Sequence, residues 1–133
     1  MINTLILFVA GALITAGLDV IWIGNLFAGL YKRELAGIGR ITGGEFKPHP
    51  IGIIVYFLMS LGTLLFVLPK AATYGQAALY GALFGLIIGG VYDLTNYSML
   101  AQWSARVVIV NMCWVIISCT LTSFTLFALR NLL

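Results

Sequence analysis

The sequence predicts an all-α polytopic membrane protein, a bundle of four transmembrane helices, and three observations predict it. Of 133 residues, 62% are hydrophobic and only 8% charged, with a mean hydropathy of +1.08, whereas a soluble domain carries roughly 25% charged residues to solvate its surface. A chain this short has too much surface for its volume to hide so much apolar material in one aqueous core, so lipid must solvate most of it. The third observation is punctuation. Four apolar runs, each near the roughly 20 residues that carry a helix across hydrocarbon, are separated by short polar stretches.

The first run covers about residues 2–30 and is interrupted by Asp19. Without a basic leading segment or a small-residue cleavage site, it reads as a retained helix and not as a signal peptide. The polar stretch Tyr31 to Pro50 follows, holding Lys32, Arg33, Glu34, Arg40, Glu45, Lys47 and His49, with Gly43-Gly44 as a turn. The second helix, about 51–68, starts after Pro50 and stops before Pro69, because proline suits helix starts and disfavours interiors. The connection to the third helix, about 77–96, is short, so these two form an antiparallel hairpin. The fourth helix covers about 107–129, and 1–133 reads as a single integral membrane domain.

Basic residues set the expected orientation. Five of them, Lys32, Arg33, Arg40, Lys47 and Arg106, fall in the first and third connections, against two, Lys70 and Arg130, on the other side. The positive-inside bias places the first and third connections in the cytoplasm of a bacterial inner membrane, with both termini outside. The same reading explains the net charge of +3 without a nucleic-acid partner. The expected partners are membrane lipids, and a homo-oligomer or larger membrane complex is compatible with the pattern.

Several chemistries lack their residues. Cys113 and Cys119 lie six apart, on opposite sides of one helix, so no disulfide joins them. No Cys/His cluster with metal spacing exists, and the two aspartates lack a third ligand, so neither a metal nor a cofactor is expected. His49 is the sole histidine, no lysine lies within a span, and no serine nucleophile with a base partner or phosphate-cradling glycine loop is visible. An enzyme is the less favoured reading.

Polar residues inside membrane helices are costly and usually face the bundle interior or water. Here three pairs share one spacing: Asp19 with Trp22, Asp93 with Asn96, and Asn111 with Trp114. In the expected topology all three lie in the cytoplasmic half of the membrane, and Tyr56 adds a wall from the second helix. Asp19 must pair, hydrate or stay protonated, and Arg33 and Arg106 are available as partners for it or for Asp93 if the loops fold back. The alternative is a buried polar network that locks helix register; for Asp93 it is a solvated helix end. On the third helix Gly81, Gly85 and Gly89 recur at every fourth position, a spacing that lets helix backbones approach closely in lipid. Trp103 fits an interfacial anchor.

At Leu18-Asp19-Val20-Ile21-Trp22 with Tyr31 downstream, at Tyr92-Asp93-Leu94-Thr95-Asn96 and at Trp103, the chain resembles a family of predicted bacterial membrane proteins termed domain of unknown function 2177. The similarity extends to Tyr56-Phe57 and Phe66-Val67-Leu68-Pro69. Where the family pattern has an aspartate and then a tryptophan followed by glycine, this chain has Asn111, Trp114 and Val115. That departure weakens any mechanism requiring a third carboxylate. The resemblance implies a four-helix inner-membrane protein of about this length and supplies no activity.

The residues together point to a non-enzymatic bundle that binds or transports a small or lipophilic ligand through a polar pocket. Asp19 and Asp93 would set its polarity, Asn96 and Asn111 its hydrogen bonds, and Trp22, Tyr56 and Trp114 its walls. A proton-coupled small transporter and a structural accessory subunit of a larger membrane complex are the alternatives. The first predicts loss of pH-driven uptake in Asp19→Asn, and the second predicts co-purification with a partner.

Overall fold

The structure, a computed structural model, describes residues Met1–Leu133. Four helices are long and apolar enough to cross a membrane: Ile2–Leu26, Pro50–Lys70, Tyr74–Met99 and Ala105–Leu132. At about 1.5 Å of rise per residue each reaches roughly the 30 Å thickness of hydrocarbon. The all-α four-span bundle read from the sequence is the observed architecture.

The first span is α1 (Ile2–Ile21) followed by a wide turn over Trp22–Leu26. There the Phe27 amide reaches back five residues to the Trp22 carbonyl at 2.8 Å, and the Asn25 side chain donates to Val20 O at 2.8 Å. These bonds loosen the helix until Phe27 leaves helical geometry (φ −116°, ψ 13°). The span therefore ends at Leu26 rather than near residue 30, and the chain continues as the short α2 (Ala28–Glu34). The polar connection then forms a small antiparallel hairpin, β1 (Ile41–Thr42) with β2 (Glu45–Phe46), Thr42 opposite Glu45. Its two-residue turn is Gly43-Gly44, both with positive φ (63° and 78°), the backbone such a tight turn demands and glycine adopts without strain.

The second span starts at a single 3-10 turn, Pro50–Gly52, capped by the His49 side chain, and continues as α3 (Ile53–Gly62). It widens over Thr63–Val67 before a last turn at Leu68–Lys70. Pro69 explains the change, since it has no amide to donate and its ring crowds the carbonyl four residues earlier. Arg130 takes up two carbonyls at this frayed end, donating to Leu68 O (2.7 Å) and Ala71 O (3.2 Å) while lying 4.5 Å over the Phe127 ring. Arg130→Ala is expected to cost about 1.5–3 kcal/mol, the range for hydrogen bonds from a charged donor, read as a lower thermal midpoint than Arg130→Lys in the same detergent.

The third span, α4 (Tyr74–Met99), begins earlier than hydropathy suggests because Thr73 caps it, accepting from the Gln76 amide while the Gln76 side chain accepts from Ala72 N. This Thr-x-x-Gln arrangement is a helix-start signature. Ser104 likewise caps the fourth span, α5 (Ala105–Leu132), by accepting from Val107 N.

In the bundle α1 packs on α3 and α5, and α4 runs along α5. Large aliphatic side chains point outward, among them Leu13, Val20, Leu58, Ile87 and Ile109, while Thr15, Ser60, Thr63, Ser118, Thr122 and Ser123 are buried. This is the arrangement expected in lipid, where helices join by close packing and polar contacts, with no hydrophobic drive between them. Ser60 Oγ donates to Phe8 O at 2.7 Å, and the Thr15 and Thr122 hydroxyls meet at 3.2 Å. Gly81, Gly85 and Gly89 face α5. A Cβ on Gly81 would sit 2.6 Å from Cys119 O and one on Gly85 2.7 Å from Val115 O, so only glycine permits these backbones to touch. By contrast, the second span meets α4 over its last turns, Thr63–Lys70, up to about mid-height, where Gly62 rests against the Phe84 ring.

Candidate functional site

Because α3 leans on α1 while α4 follows α5, a cleft of about 470 Å³ is left among all four spans on the side of the bundle holding the Tyr31–Pro50 connection. Thr15, Asp19 and Ile23 of the first span line it, with Gly52, Val55, Tyr56 and Met59 of the second. Ile88, Gly89 and Tyr92 of α4 and Asn111, Trp114 and Val115 of α5 complete it.

Asp19 is the charged centre of the cleft. Both of its oxygens receive a donor: Tyr56 OH at 2.6 Å on Oδ2 and the Trp114 indole N–H at 3.1 Å on Oδ1. Trp114 is buried and stacks on Trp22, ring centroids 5.3 Å apart and planes 22° from parallel. Three helices thus converge on one carboxylate. Trp22 forms an outer layer behind Trp114 and does not itself line the cleft. Thr15, one helical turn before Asp19, belongs to the same wall; its i−4 position was a sequence signal for membership that the polar-pair pattern passed over.

Asp93 belongs to an adjoining network. It lies within α4, six residues from the helix end, and is 0% exposed, so the solvated-cap alternative does not describe it. The Asn111 amide donates to Asp93 Oδ2 at 2.8 Å, and Asn111 Oδ1 accepts from Tyr31 OH at 3.1 Å. Asp93 Oδ1 and the indole N–H of Trp103 are both buried without a close partner, and they are neighbours, so a small shift joins them. Trp103 is therefore an inward residue, packed with Tyr31, Val107 and Val108 and edge-on to Tyr92 at 5.7 Å, and not an interfacial anchor.

Asn111 joins the two networks. Its side chain lines the cleft, holds Asp93, and through Tyr31 ties α2 against α5. Burial raises the Tyr31 phenol well above its usual range, which keeps it protonated and able to donate. In the sequence Tyr31 opens the polar stretch and belongs to the family resemblance, but nothing in local spacing relates a residue in the first connection to one 80 positions later.

Asn96 is not brought to the cleft; it lies one turn beyond Asp93, beside Tyr92. Nor do Arg33 and Arg106 pair with either aspartate. Both turn to Glu34, at 3.2 and 3.8 Å. At the aqueous edge this pairing needs no loop to re-enter the membrane and no arginine to be stripped of water. A hydrogen bond with Ser104, and after it the two arginines, hold the Glu34 carboxyl below the usual glutamate range. Asp19 and Asp93 are left with hydrogen-bond donors and no basic partner.

A family model described as predicted membrane protein (DUF2177) matches residues 4–128, almost the whole chain. The chain matches no curated protein and no solved structure.

Proposed function

The chain belongs to the DUF2177 family of predicted membrane proteins, and from that premise we propose that it binds, or moves, a small lipophilic ligand in the cleft around Asp19. The observation that carries this reading is the cleft itself. Its size, about 470 Å³, falls within the roughly 300–1,000 Å³ of small-molecule sites, and its lining is mostly apolar with a few convergent polar groups, Asp19, Tyr56, Asn111 and Trp114. A network serving only to lock helix register would gain from being packed shut, as the α4–α5 contact is. Here the carboxylate instead borders open space. Asp93 supports the site from behind through Asn111, and Tyr31 couples it to the connection outside the membrane.

In the orientation proposed, the Tyr31–Pro50 and Leu100–Ser104 connections face the cytoplasm of a bacterial inner membrane, and the cleft opens in the cytoplasmic leaflet. Membrane lipids surround it and compete for it.

The test is native mass spectrometry of protein gently extracted from its own membrane, with organic extraction of the same sample. A defined lipophilic molecule is expected to co-purify and to be lost in Asp19→Asn and in Trp114→Ala. A ligand-free particle bound stoichiometrically to another protein would replace this reading with that of an accessory subunit.

A further inference from the structure

We propose that the ligand is an organic monocation with an apolar body, entering from the bilayer between α3 and α4 and taking Asp19 as its counter-charge; this rests on the ligand-binding reading above. Asp19 receives one donor on each oxygen, from Tyr56 and Trp114. An ionised Asp19 accepts both bonds, whereas a protonated one would keep the indole bond on Oδ1 and donate from Oδ2 to the Tyr56 oxygen, so a bound cation is what would hold the group ionised. An ionised carboxylate offers about four acceptor directions, so each oxygen keeps one free for a ligand.

The chain supplies no positive charge there. No lysine or arginine lines the cleft. Arg33 and Arg106 are engaged by Glu34, and Arg130 is held at Leu68 and Ala71, at the other end of the bundle. A buried charge needs pairing, and an anionic ligand would add a second negative charge with nothing to offset it. The rest of the lining suits a lipophilic cation. Tyr56, Tyr92 and Trp114 offer π faces, which attract cations most strongly where water is excluded, and Val55, Met59, Ile88 and Val115 offer apolar contact.

The route follows from helix packing. From the Gly62–Phe84 contact towards Pro50 and Met99, α3 and α4 do not pack on one another, although both line the cleft. We assign entry to that gap, from the surrounding bilayer. An aqueous approach would pass the connection in which Lys32, Arg33, Arg40 and Lys47 outnumber Glu34 and Glu45, a net positive charge that disfavours a cation; a lateral approach avoids it.

The experiment titrates full-length protein in nanodiscs of zwitterionic lipid with tetraphenylphosphonium and with tetraphenylborate, which share shape and differ in sign. Tryptophan fluorescence is the readout, and empty discs give the background. Saturable quenching by the phosphonium alone is expected, weakened about tenfold or more in Asp19→Asn, as for loss of one partner of a desolvated charge pair, and restored in Asp19→Glu. Equal binding of both ions to the unaltered protein overturns the proposal whether or not the Asp19→Asn variant folds. So does phosphonium binding that Asp19→Asn leaves unchanged. If neither ion binds while a lipophile still co-purifies, the cationic assignment fails and the ligand-binding reading survives. If neither ion binds and nothing co-purifies, both fail.

Discussion

Replacing Gly85 with valine is expected to cost about 3 kcal/mol or more, at the upper end of overpacking penalties, and to leave little folded protein after extraction. A Cβ at this position lies 2.7 Å from Val115 O and 2.8 Å from Ile116 Cα, both backbone atoms of α5 that no rotamer change can move. The α4–α5 pair must separate, and with it Asn111 and Trp114 leave their aspartates. Gly17 and Gly90 are the matched controls. A Cβ on Gly17 meets nothing within 4 Å and one on Gly90 makes an ordinary 3.7 Å contact with Met112. Alanine there should be neutral or stabilising, since glycine within a helix costs roughly 0.5–1 kcal/mol relative to alanine. Thermal unfolding of the three variants in one detergent decides the matter. A Gly85→Val midpoint equal to that of Gly17→Ala would mean the two helices do not touch as described.

Asn111→Leu carries the second large effect. It deprives buried Asp93 of its donor and Tyr31 of its acceptor in one step. Leaving a buried polar group without its partner costs about 1–3 kcal/mol, and more if the group is charged, and Asn111→Leu does this to two groups at once; a substantial part should reappear when the Asp93 carboxyl is also removed. The double variant Asp93→Leu/Asn111→Leu is therefore expected to be more stable than Asn111→Leu alone, because replacing both partners with apolar groups leaves nothing unsatisfied. The single change should also free α2, seen as faster hydrogen exchange over residues 28–34 with the spans unchanged. Additive losses in the double variant would show that Asn111 and Asp93 do not support each other.

These two predictions separate what hydropathy patterning can reveal from what it cannot. Gly85 is visible in the sequence because a helix repeats its face every three to four residues, so Gly81, Gly85 and Gly89 announce a shared stripe. Asp19, Tyr56, Asn111 and Trp114 are likewise visible, since a polar group inside an apolar run stands out against its neighbours. The inward roles of Tyr31 and Trp103 are not. Both lie in polar connections, where Trp103 looks like an interfacial anchor and spacing assigns Tyr31 no partner, and both become buried only when α2 and the start of α5 close over Asp93. The helix starts at Tyr74 and Ala105 were legible in Thr73, Gln76 and Ser104 but outweighed by hydropathy, which fades before the caps do.

The sequence by itself determined the four spans, their turns, the glycine stripe and the polar residues that needed partners, because each follows from the local balance of apolar, polar and small side chains along one helix. Only the tertiary structure decided which partner each residue takes. Asp19 receives Tyr56 and Trp114, Asp93 receives Asn111, and the arginines go to Glu34. It also decided that α3 and α4 stand apart, leaving a cleft beside a carboxylate. The physical reason is that hydrogen bonds and gaps depend on ångström-scale distances between helices, and those distances are set by how the glycine, serine and threonine faces of different helices close on one another.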